Sequence, residues 1–328
     1  MMKTYSLPDT DIQFSRLGYG CMRIGDGGTR DSSGSSNGGK TDAATRIVAK
    51  AIDQGINLFD HADIYCQGRS ETVFGEVMRQ IPGLRDQIVI QSKCGIRFGD
   101  DPRPGDPPRY DLSRDHIVSS VEASLRRLGT NRLDILLLHR PDPLAEPEQI
   151  ASAFDELATT GKVRHFGVSN HNASQIALLQ KHLDQRLVIN QVEISLLHNE
   201  LINEGIRTNI VSTDYPAAAG TLDYCREHNI LVQAWSPLAG GALAQVPDDA
   251  APRVRACARE VAALAERKNL PPEAVVLAWL LRHPAGIQPI VGTTREDRLD
   301  ACCAADDVEL SREDWYRLFA AARGGPVP

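Results

Sequence analysis

The chain has 328 residues, a formal net charge of -7 and 42% hydrophobic residues, which is long enough for one barrel domain or two smaller domains. This acidic balance gives no electrostatic reason to expect nucleic acid or an anionic membrane surface as a partner. Aromatic residues make up 5% and charged residues 24%, as in ordinary soluble proteins.

The N-terminus and the cysteines predict a cytoplasmic protein. Met1-Met-Lys-Thr-Tyr5 leads into polar residues without the apolar segment of a secretory signal. No apolar run is long enough to span a membrane. Seven cysteines without a C-x-x-C motif indicate free thiols in a reducing compartment.

The N-terminal part predicts a short β-hairpin over residues 5–14 and a first strand over residues 15–22. Residues 25–40 are almost all Gly, Ser, Asn, Asp and Thr. Such a segment cannot bury enough apolar surface to offset the entropy lost on ordering, so we expect a flexible loop within the domain.

From residue 42 onwards, short apolar runs alternate regularly with amphipathic segments. The further predicted strands cover residues 57–60, 87–93, 133–139, 163–169, 188–194, 230–235 and 287–292. The predicted helices cover residues 43–54, 71–80, 113–128, 147–160, 173–183, 221–228, 251–268, 272–283 and 295–304, with an appended last helix over 311–322. Ser113 and Asn172 are expected N-caps, and Gly129 an expected helix end.

Eight strand-helix units in one chain favour a closed parallel barrel over an open doubly wound sheet. Continuous apolar runs such as residues 134–138 suit strands that are buried on both faces. We therefore predict an α/β protein, a single (β/α)8 TIM barrel domain over residues 1–328, with an N-terminal β-hairpin and appended C-terminal helices.

Polar or special residues recur where the predicted strands end, which is where chemistry lies in such barrels. They are Asp60, Lys93, His139, Ser169, Gln191, Trp235 and Gly292. Tyr65 follows Asp60 in the loop before the next helix. These strand ends are expected to meet at one end of the barrel.

Four of these residues also have plain structural interpretations. Asp60 could cap a turn, and Tyr65 could be a surface aromatic. Lys93 could form only an ion pair with Asp60, and His139 could be a core histidine. Together, however, a tyrosine, a lysine, an aspartate and a histidine form a proton-transfer set.

The chemistry of such a set follows from the tyrosine. Its ordinary pKa of about 10 is too high for efficient acid–base work at neutral pH. A lysine beside Tyr65 would lower that pKa, and a buried aspartate would keep the lysine charged. His139 could then donate a hydrogen bond to a carbonyl oxygen while another group supplies a hydride.

Specific motifs lie at or near these strand ends, in a fixed order along the chain. They are Phe59-Asp-His-Ala-Asp-Ile-Tyr65, Ser92-Lys-Cys-Gly95, Leu138-His-Arg-Pro-Asp142, Gly161-Lys-Val-Arg-His-Phe-Gly-Val-Ser-Asn170, Asn190-Gln-Val-Glu-Ile194 and Ala234-Trp-Ser-Pro-Leu238. With these motifs the chain resembles the aldo-keto reductases over nearly its whole length, from Gly18 to Arg298. The match is closest to bacterial members with an HADIY and an HRPDP segment.

The resemblance implies NAD(P)H-dependent reduction of an aldehyde or ketone to an alcohol. It makes Tyr65 the general acid, Lys93 and Asp60 its supporting pair, and His139 the residue that orients the substrate carbonyl. The implied partner is a small carbonyl compound. We expect a monomer or a weak homo-oligomer, with no nucleic acid or membrane partner.

The resemblance also assigns a cofactor site without a Rossmann fingerprint. Ser169, Asn170 and Gln191 would bind the nicotinamide carboxamide, although Ser-Asn pairs also favour turns. Trp235 would stack on the ring, unless it fills core space. The remaining implied cofactor contacts are Gly20, Cys21, Met22, Asp60, Ser236, Pro237, Leu238, Gly240, Gly292, Thr293, Thr294 and Arg298.

Arg298 favours NADPH over NADH, because a guanidinium suits a 2′-phosphate. An exposed helix residue is the alternative interpretation. Ala301 and Cys302 stand where many family members hold the adenine with Glu and Asn. No metal site is expected, because Cys66 and Cys94 are two thiols without a third ligand.

The substrate-facing loops are predicted over residues 98–110 and 198–219, where Ile210, Asp214 or Tyr215 could reach over the pocket. Arg140 and His171 are expected to be solvated rim residues rather than an anion site. Two rival functions remain open. One is a Schiff-base lyase that uses Lys93, and the other is a regulatory subunit that holds NADPH and turns over slowly.

Overall fold

Short runs of buried residues form the strands of a closed barrel, as predicted. The computed structural model describes residues 2–8, 10–26, 37–207 and 220–328. In chain order the strands are β1 (Thr4–Ser6), β2 (Gln13–Ser15), β3 (Gly18–Gly20), β4 (Leu58–Asp60), β5 (Val89–Cys94), β6 (Ile96–Arg97), β7 (Arg109–Tyr110), β8 (Leu133–Leu138), β9 (Val163–Ser169), β10 (Leu187–Glu193), β11 (Leu231–Trp235) and β12 (Gln288–Val291).

Eight of these strands form the barrel, in the order β10-β11-β12-β3-β4-β5-β8-β9. The pairing of Ile290 with Gly18 and of Val291 with Tyr19 joins β12 to β3 and closes the ring. All six residues of β8 are buried, because helices cover one face of the strand and barrel side chains the other. The (β/α)8 barrel prediction is confirmed.

Helices surround the barrel and follow the strands along the chain. They are α1 (Asn37–Asp53), α2 (Arg69–Gln80), α3 (Leu84–Gln87), α4 (Arg114–Leu128), α5 (Pro147–Thr159), α6 (Ala173–Gln180), α7 (Glu200–Asn203), α8 (Thr221–Glu227), α9 (Pro252–Lys268), α10 (Pro272–Leu281), α11 (Glu296–Cys303) and α12 (Arg312–Arg323). In the described ranges, no helix combines the length and the apolar character that a membrane span requires.

The predicted helix ends have clear physical causes. The Ser113 side chain accepts a hydrogen bond from the backbone of His116, and Gly129 ends α4 in the left-handed conformation with φ of 65°. Asn172 and Gln175 form a reciprocal capping box at the start of α6. These local signals were visible in the sequence because each depends on residues within one helical turn.

Two long loops depart from the prediction or lie outside the described ranges. The expected loop over residues 25–40 falls mostly on residues 27–36, which lie outside those ranges. Its last four residues belong to α1, which begins at Asn37 rather than at the expected Ala43. Ile210, Asp214 and Tyr215, which were expected to reach over the pocket, also lie outside the described residues.

The predicted N-terminal hairpin is confirmed and closes one end of the barrel. Strands β1 and β2 pair antiparallel, with Tyr5 opposite Phe14. Leu7, Ile12 and Phe14 are buried in one apolar cluster with barrel residues such as Leu58 and Ile135. This apolar plug lies at the end where the strands begin, which leaves the opposite end for the site.

Candidate active site

A buried ion pair joins two neighbouring strands at the end of the barrel where the strands end. Asp60 is the last residue of β4 and Lys93 lies near the end of β5, with exposed fractions of 2% and 1%. The Lys93 Nζ atom lies 2.7 and 2.8 Å from the two carboxylate oxygens of Asp60. It also donates to the backbone oxygen of His61 at 2.8 Å. The ammonium is therefore held by acceptors of both Asp60 and His61.

Tyr65 completes the environment of this ammonium. It opens a short 3-10 turn, Tyr65–Gly68, in which Cys66 and Gln67 have left-handed backbone angles with φ of 51° and 57°. The turn brings the Tyr65 hydroxyl to 3.1 Å from Lys93 Nζ. The ammonium also lies 5.0 Å from the centroid of the tyrosine ring.

Burial and the Lys93 ammonium act in opposite directions on the pKa of Tyr65. Burial raises the pKa of the phenol, and this effect outweighs the lowering by the Lys93 ammonium, so the net pKa lies above the ordinary value. The expected lowering by Lys93 is present, but the larger effect of burial was not expected. The phenol is protonated at neutral pH, which is the form that can give up a proton.

His139 directly follows β8, and its backbone N–H donates to Cys94 at 2.9 Å. Its ring stands edge-on to the Tyr65 ring, with centroids 6.1 Å apart and planes at 84°. Burial, followed by the charges of Lys93 and Arg140, lowers the pKa of the imidazole to about 3. His139 is therefore neutral at physiological pH, and one ring nitrogen carries a proton that it can donate.

These groups border a cavity of about 340 Å³ at the same end of the barrel. Asp60, Tyr65 and His139 line it directly, whereas Lys93 lies behind them. The other predicted residues that line it are Gly20, Met22, Ser169, Asn170, Gln191, Trp235, Ser236, Pro237, Leu238, Gly240, Gly292, Thr293 and Arg298. The fold thus brings together residues from all parts of the chain.

Cys21 and Thr294 are the two predicted cofactor contacts that do not line this cavity. Cys21 is fully buried, and its thiol faces the backbone oxygen of Tyr19 at 3.9 Å. His171, expected at the rim, is also buried, and its Nδ1 lies 2.9 Å from the Ser169 backbone oxygen. The side chains of Cys21 and His171 are therefore not available to a ligand in the cavity.

A chain of hydrogen bonds orders the polar wall beside Asp60. Ser169 donates through its hydroxyl to the Gln191 backbone oxygen at 2.7 Å. The Asn170 amide donates to the Ser169 hydroxyl at 2.9 Å, and its oxygen accepts from the Trp235 indole at 3.0 Å. Asn170 has φ of 62°, which turns its side chain back toward the strand ends. This wall presents amide and hydroxyl groups next to an indole.

The loop after β11 lines the cavity and contains several residues with left-handed backbone angles. Ser236, Ala239, Gly240 and Gly241 all have positive φ, at 51°, 47°, 69° and 89°. Successive turns of this kind make concave, anion-binding arrangements of N–H groups. No other atom lies within 4 Å of the position where a Cβ would stand at Gly240 or at Gly241, so open space adjoins the loop at these two residues.

The far end of the cavity carries charges of both signs. Arg298 lines it as predicted, but so do Glu273 and Cys302. Glu273 was not singled out from the sequence, because it belongs to the first turn of α10, where acidic residues are common anyway. Burial is the main cause that raises the pKa of the Cys302 thiol. The charge of Glu273 raises this pKa further, and the charge of Arg298 lowers it.

Arg140 is partly exposed and lines the cavity next to His139, which is compatible with the expected rim position. Its guanidinium carbon lies 5.8 Å from the Trp235 ring centroid. Among the described residues it forms no ion pair. A cation therefore faces the cavity close to the catalytic candidates.

The remaining expectations concern lids and metals. Phe98 directly follows β6 and Tyr110 is the last residue of β7 in an antiparallel hairpin. Both are exposed, and neither lines the cavity. The Cys66 thiol lies 3.2 Å from the Met22 backbone oxygen, and Cys94 is buried. Within the part of the chain that the structure covers, no group of three or more His, Cys, Asp or Glu side chains could hold a metal ion.

Comparisons with known proteins identify related sequences along the whole chain. The chain is 38% identical to the oxidoreductase YcsN of Bacillus subtilis over 319 residues, 97% of each chain. It is 36% identical to the 6-dehydroglucose reductase of Agrobacterium fabrum over 330 residues, 99% of this chain and 100% of the relative.

Solved structures agree on the fold. The holo form of aldo-keto reductase AKR11C1 from Bacillus halodurans superposes with a TM-score of 0.75 at 23% identity, over 99% of this chain and 98% of that chain. The model of the Aldo/keto reductase family matches residues 16–323. The chain therefore belongs to the aldo/keto reductase family.

Proposed function

We propose that this protein is an NADPH-dependent reductase of aldehydes or ketones, with Tyr65 as the general acid. The observation that carries the proposal is the position of the Lys93 ammonium, 3.1 Å from the Tyr65 hydroxyl and 2.7 Å from Asp60, at the wall of a cavity. When bound, the nicotinamide supplies the hydride. The protein's own groups bind the carbonyl and deliver the proton.

Two side chains would act on the carbonyl oxygen. Tyr65 is protonated at neutral pH, and burial raises its pKa further above the ordinary value. It gives its proton to the oxygen as negative charge develops there. Lys93 then stabilises the phenolate that remains. His139, neutral because its pKa is about 3, donates an N–H to the same oxygen and orients it.

The lining of the cavity fits a dinucleotide. Ser169, Asn170 and Gln191 line the cavity with the hydroxyl and amide side chains that the family resemblance assigns to the carboxamide, and the adjacent Trp235 indole offers a stacking surface. The positive-φ loop after β11 suits a pyrophosphate. Arg298 would bind a 2′-phosphate, which supports NADPH over NADH.

The substrate we propose is a polar, oxygen-rich carbonyl compound. The Arg140 guanidinium faces the cavity beside His139 without an ion-pair partner among the described residues. Its fork of donors matches carboxylate oxygens or neighbouring hydroxyls. A relative that matches the whole chain carries the name 6-dehydroglucose reductase, which makes a sugar aldehyde a suitable first test compound.

The position of Lys93 argues against the Schiff-base alternative. A lysine that forms a Schiff base needs an accessible amine with a lowered pKa. Lys93 does not line the cavity and is 1% exposed. Although burial disfavours its charge, Asp60 and Tyr65 raise the pKa of its ammonium.

The test is a panel of carbonyl compounds assayed with NADPH and with NADH by the absorbance of the reduced nicotinamide. The panel contains 6-dehydroglucose and matched aromatic aldehydes with and without a carboxylate. We expect turnover with NADPH, and higher kcat/KM for the oxygen-rich members. Replacing Arg140 with leucine should remove this difference and leave the uncharged aldehyde unaffected. No oxidation of either cofactor with any carbonyl would refute the function.

A further inference from the structure

Four buried glutamines form a polar layer inside the barrel, between the apolar plug and the active-site candidates. This glutamine cluster consists of Gln91, Gln191, Gln233 and Gln288, each at most 2% exposed. Gln191, Gln233 and Gln288 are register partners on consecutive strands β10, β11 and β12. Gln91 lies on β5, where it is the register partner of Asp60 on β4. The cluster therefore links the far side of the barrel to the ion pair.

The hydrogen bonds of this cluster fix the direction of every amide. The backbone oxygen of Ser15 can only accept, so Gln288 donates to it at 2.7 Å. The Gln288 oxygen then accepts from Gln233 at 2.9 Å. The Gln233 oxygen accepts from Gln91 at 2.9 Å and from Gln191 at 3.0 Å. Each assignment follows from the one before it, because an amide presents its nitrogen on one side and its oxygen on the other.

The cluster ends on one carboxylate oxygen of Asp60. That oxygen accepts from Gln91 at 2.6 Å and from Gln191 at 3.0 Å, besides Lys93 at 2.7 Å. Gln91 uses both of its N–H groups, one for Asp60 and one for Gln233, and its oxygen accepts from Gln233 at 3.1 Å. Its amide therefore has a single orientation in which it donates to the carboxylate.

We propose that Gln91 is a positioning residue for the reduction, whose amide holds Asp60 so that Lys93 stays beside the Tyr65 hydroxyl. Gln91 does not line the cavity, so it touches neither substrate nor cofactor and acts through Asp60. This inference rests on the proposed function. An aliphatic side chain of similar volume would fill the same space and would need no hydrogen-bond partners. We therefore assign the role to the amide group of Gln91 and not to the volume of its side chain.

The matched experiment compares Gln91→Met with Gln288→Met. Both substitutions keep the volume and remove one buried amide, but only the first removes a donor to Asp60. After Gln288→Met, Gln91 keeps its reciprocal contacts with Gln233 and its bond to Asp60. We expect Gln91→Met to lower kcat about tenfold or more, the rate equivalent of one buried hydrogen bond to a charged group, with an unchanged KM for NADPH. Gln288→Met should keep kcat within about twofold while losing comparable thermal stability.

A second variant adds a pH readout that a purely structural role would not move. In Gln91→Glu, the new carboxyl group adjoins that of Asp60, and the two share a proton at low pH. The protonated Glu side chain still donates to Asp60, so kcat should be close to wild type there and fall as rising pH removes the proton. The wild type should not show this added loss.

The outcomes separate this inference from the function on which it rests. An inactive wild type would refute the proposed function. An active wild type with equal kcat in Gln91→Met and Gln288→Met would refute the role of Gln91. If Gln91→Met does not fold, the pH profile of Gln91→Glu decides, and a profile parallel to that of the wild type refutes the role.

Discussion

The Nζ atom of Lys93 lies 3.1 Å from the hydroxyl of Tyr65. At this distance the ammonium stabilises the phenolate, yet burial raises the phenol pKa by more than the ammonium lowers it. The lysine therefore does not ionise the resting tyrosine. The lysine acts during proton transfer, because the negative charge that develops on the phenol oxygen then already faces a fixed cation.

The first prediction concerns the hydroxyl of Tyr65. Tyr65→Phe removes the proton donor but leaves the ring that packs edge-on to His139. We expect kcat to fall by about 10²–10⁴, the usual contribution of a general acid. NADPH should still bind and quench tryptophan fluorescence, because Trp235 and the amide wall are untouched. Loss of both activity and quenching would identify Tyr65 as a structural residue instead.

The second prediction separates the charge of Lys93 from its packing. Lys93→Met leaves the Asp60 carboxylate buried without its cation, which should cost about 3–5 kcal/mol of unfolding free energy. The double variant Asp60→Asn/Lys93→Met removes both charges and should recover much of that loss. Activity should stay abolished in both variants, because neither has a cation beside Tyr65. Denaturant unfolding and initial rates measure the two effects, and recovered activity in the double variant would contradict the assigned role of Lys93.

Residues at strand ends were the part of the site that could be predicted from the sequence. Asp60, Lys93 and His139 each follow or end an apolar run, and a parallel barrel brings such ends together whatever the details of packing. Helix caps such as Asn172 were visible for a similar reason, because their partners are three residues away.

Effects that depend on burial or on distant partners could not be predicted. Gln91, Gln233 and Gln288 appear in the sequence as isolated polar residues in strands, and only the register of the barrel makes them a cluster. Burial raises the pKa of Tyr65 by more than Lys93 lowers it, and the depth of that burial is set by the whole site. Glu273 belongs to a helix that is far from Arg298 along the chain, and only the closed barrel places both at one cavity.

The third prediction uses these two charges to test cofactor choice. Arg298→Ala should raise the KM for NADPH at least about tenfold, the effect of one charge-assisted hydrogen bond to a phosphate. The KM for NADH should change little. Glu273→Gln is the matched opposite change, since it removes a negative charge from the same end of the cavity, and it should lower the KM for NADPH. An unchanged NADPH affinity in Arg298→Ala would mean that the 2′-phosphate does not bind at this arginine.

The last prediction concerns the pH dependence of stability. Asp63, two residues before Tyr65, has a carboxylate oxygen without a hydrogen-bond partner among the described residues. Burial, together with the charge of Glu71, raises the pKa of Asp63 from 3.8 to about 7. The Glu71 carboxylate is fully buried, where it accepts from Ser92 and from Arg127, each at 2.7 Å.

Because the folded state binds the Asp63 proton more tightly than the unfolded state, this proton favours folding at low pH. The contribution is complete below pH 3.8, declines as the pH rises, and is gone above about pH 7. Asp63→Asn is neutral at every pH and should remove this decline. The measurement is the Tm of the wild type and of Asp63→Asn at about pH 5 and about pH 8, because the decline in stability is well developed between these two values. Asp184→Asn, an exposed aspartate, should retain the wild-type difference between the two pH values. A decline in Asp63→Asn equal to that of the wild type would place the responsible proton on another group.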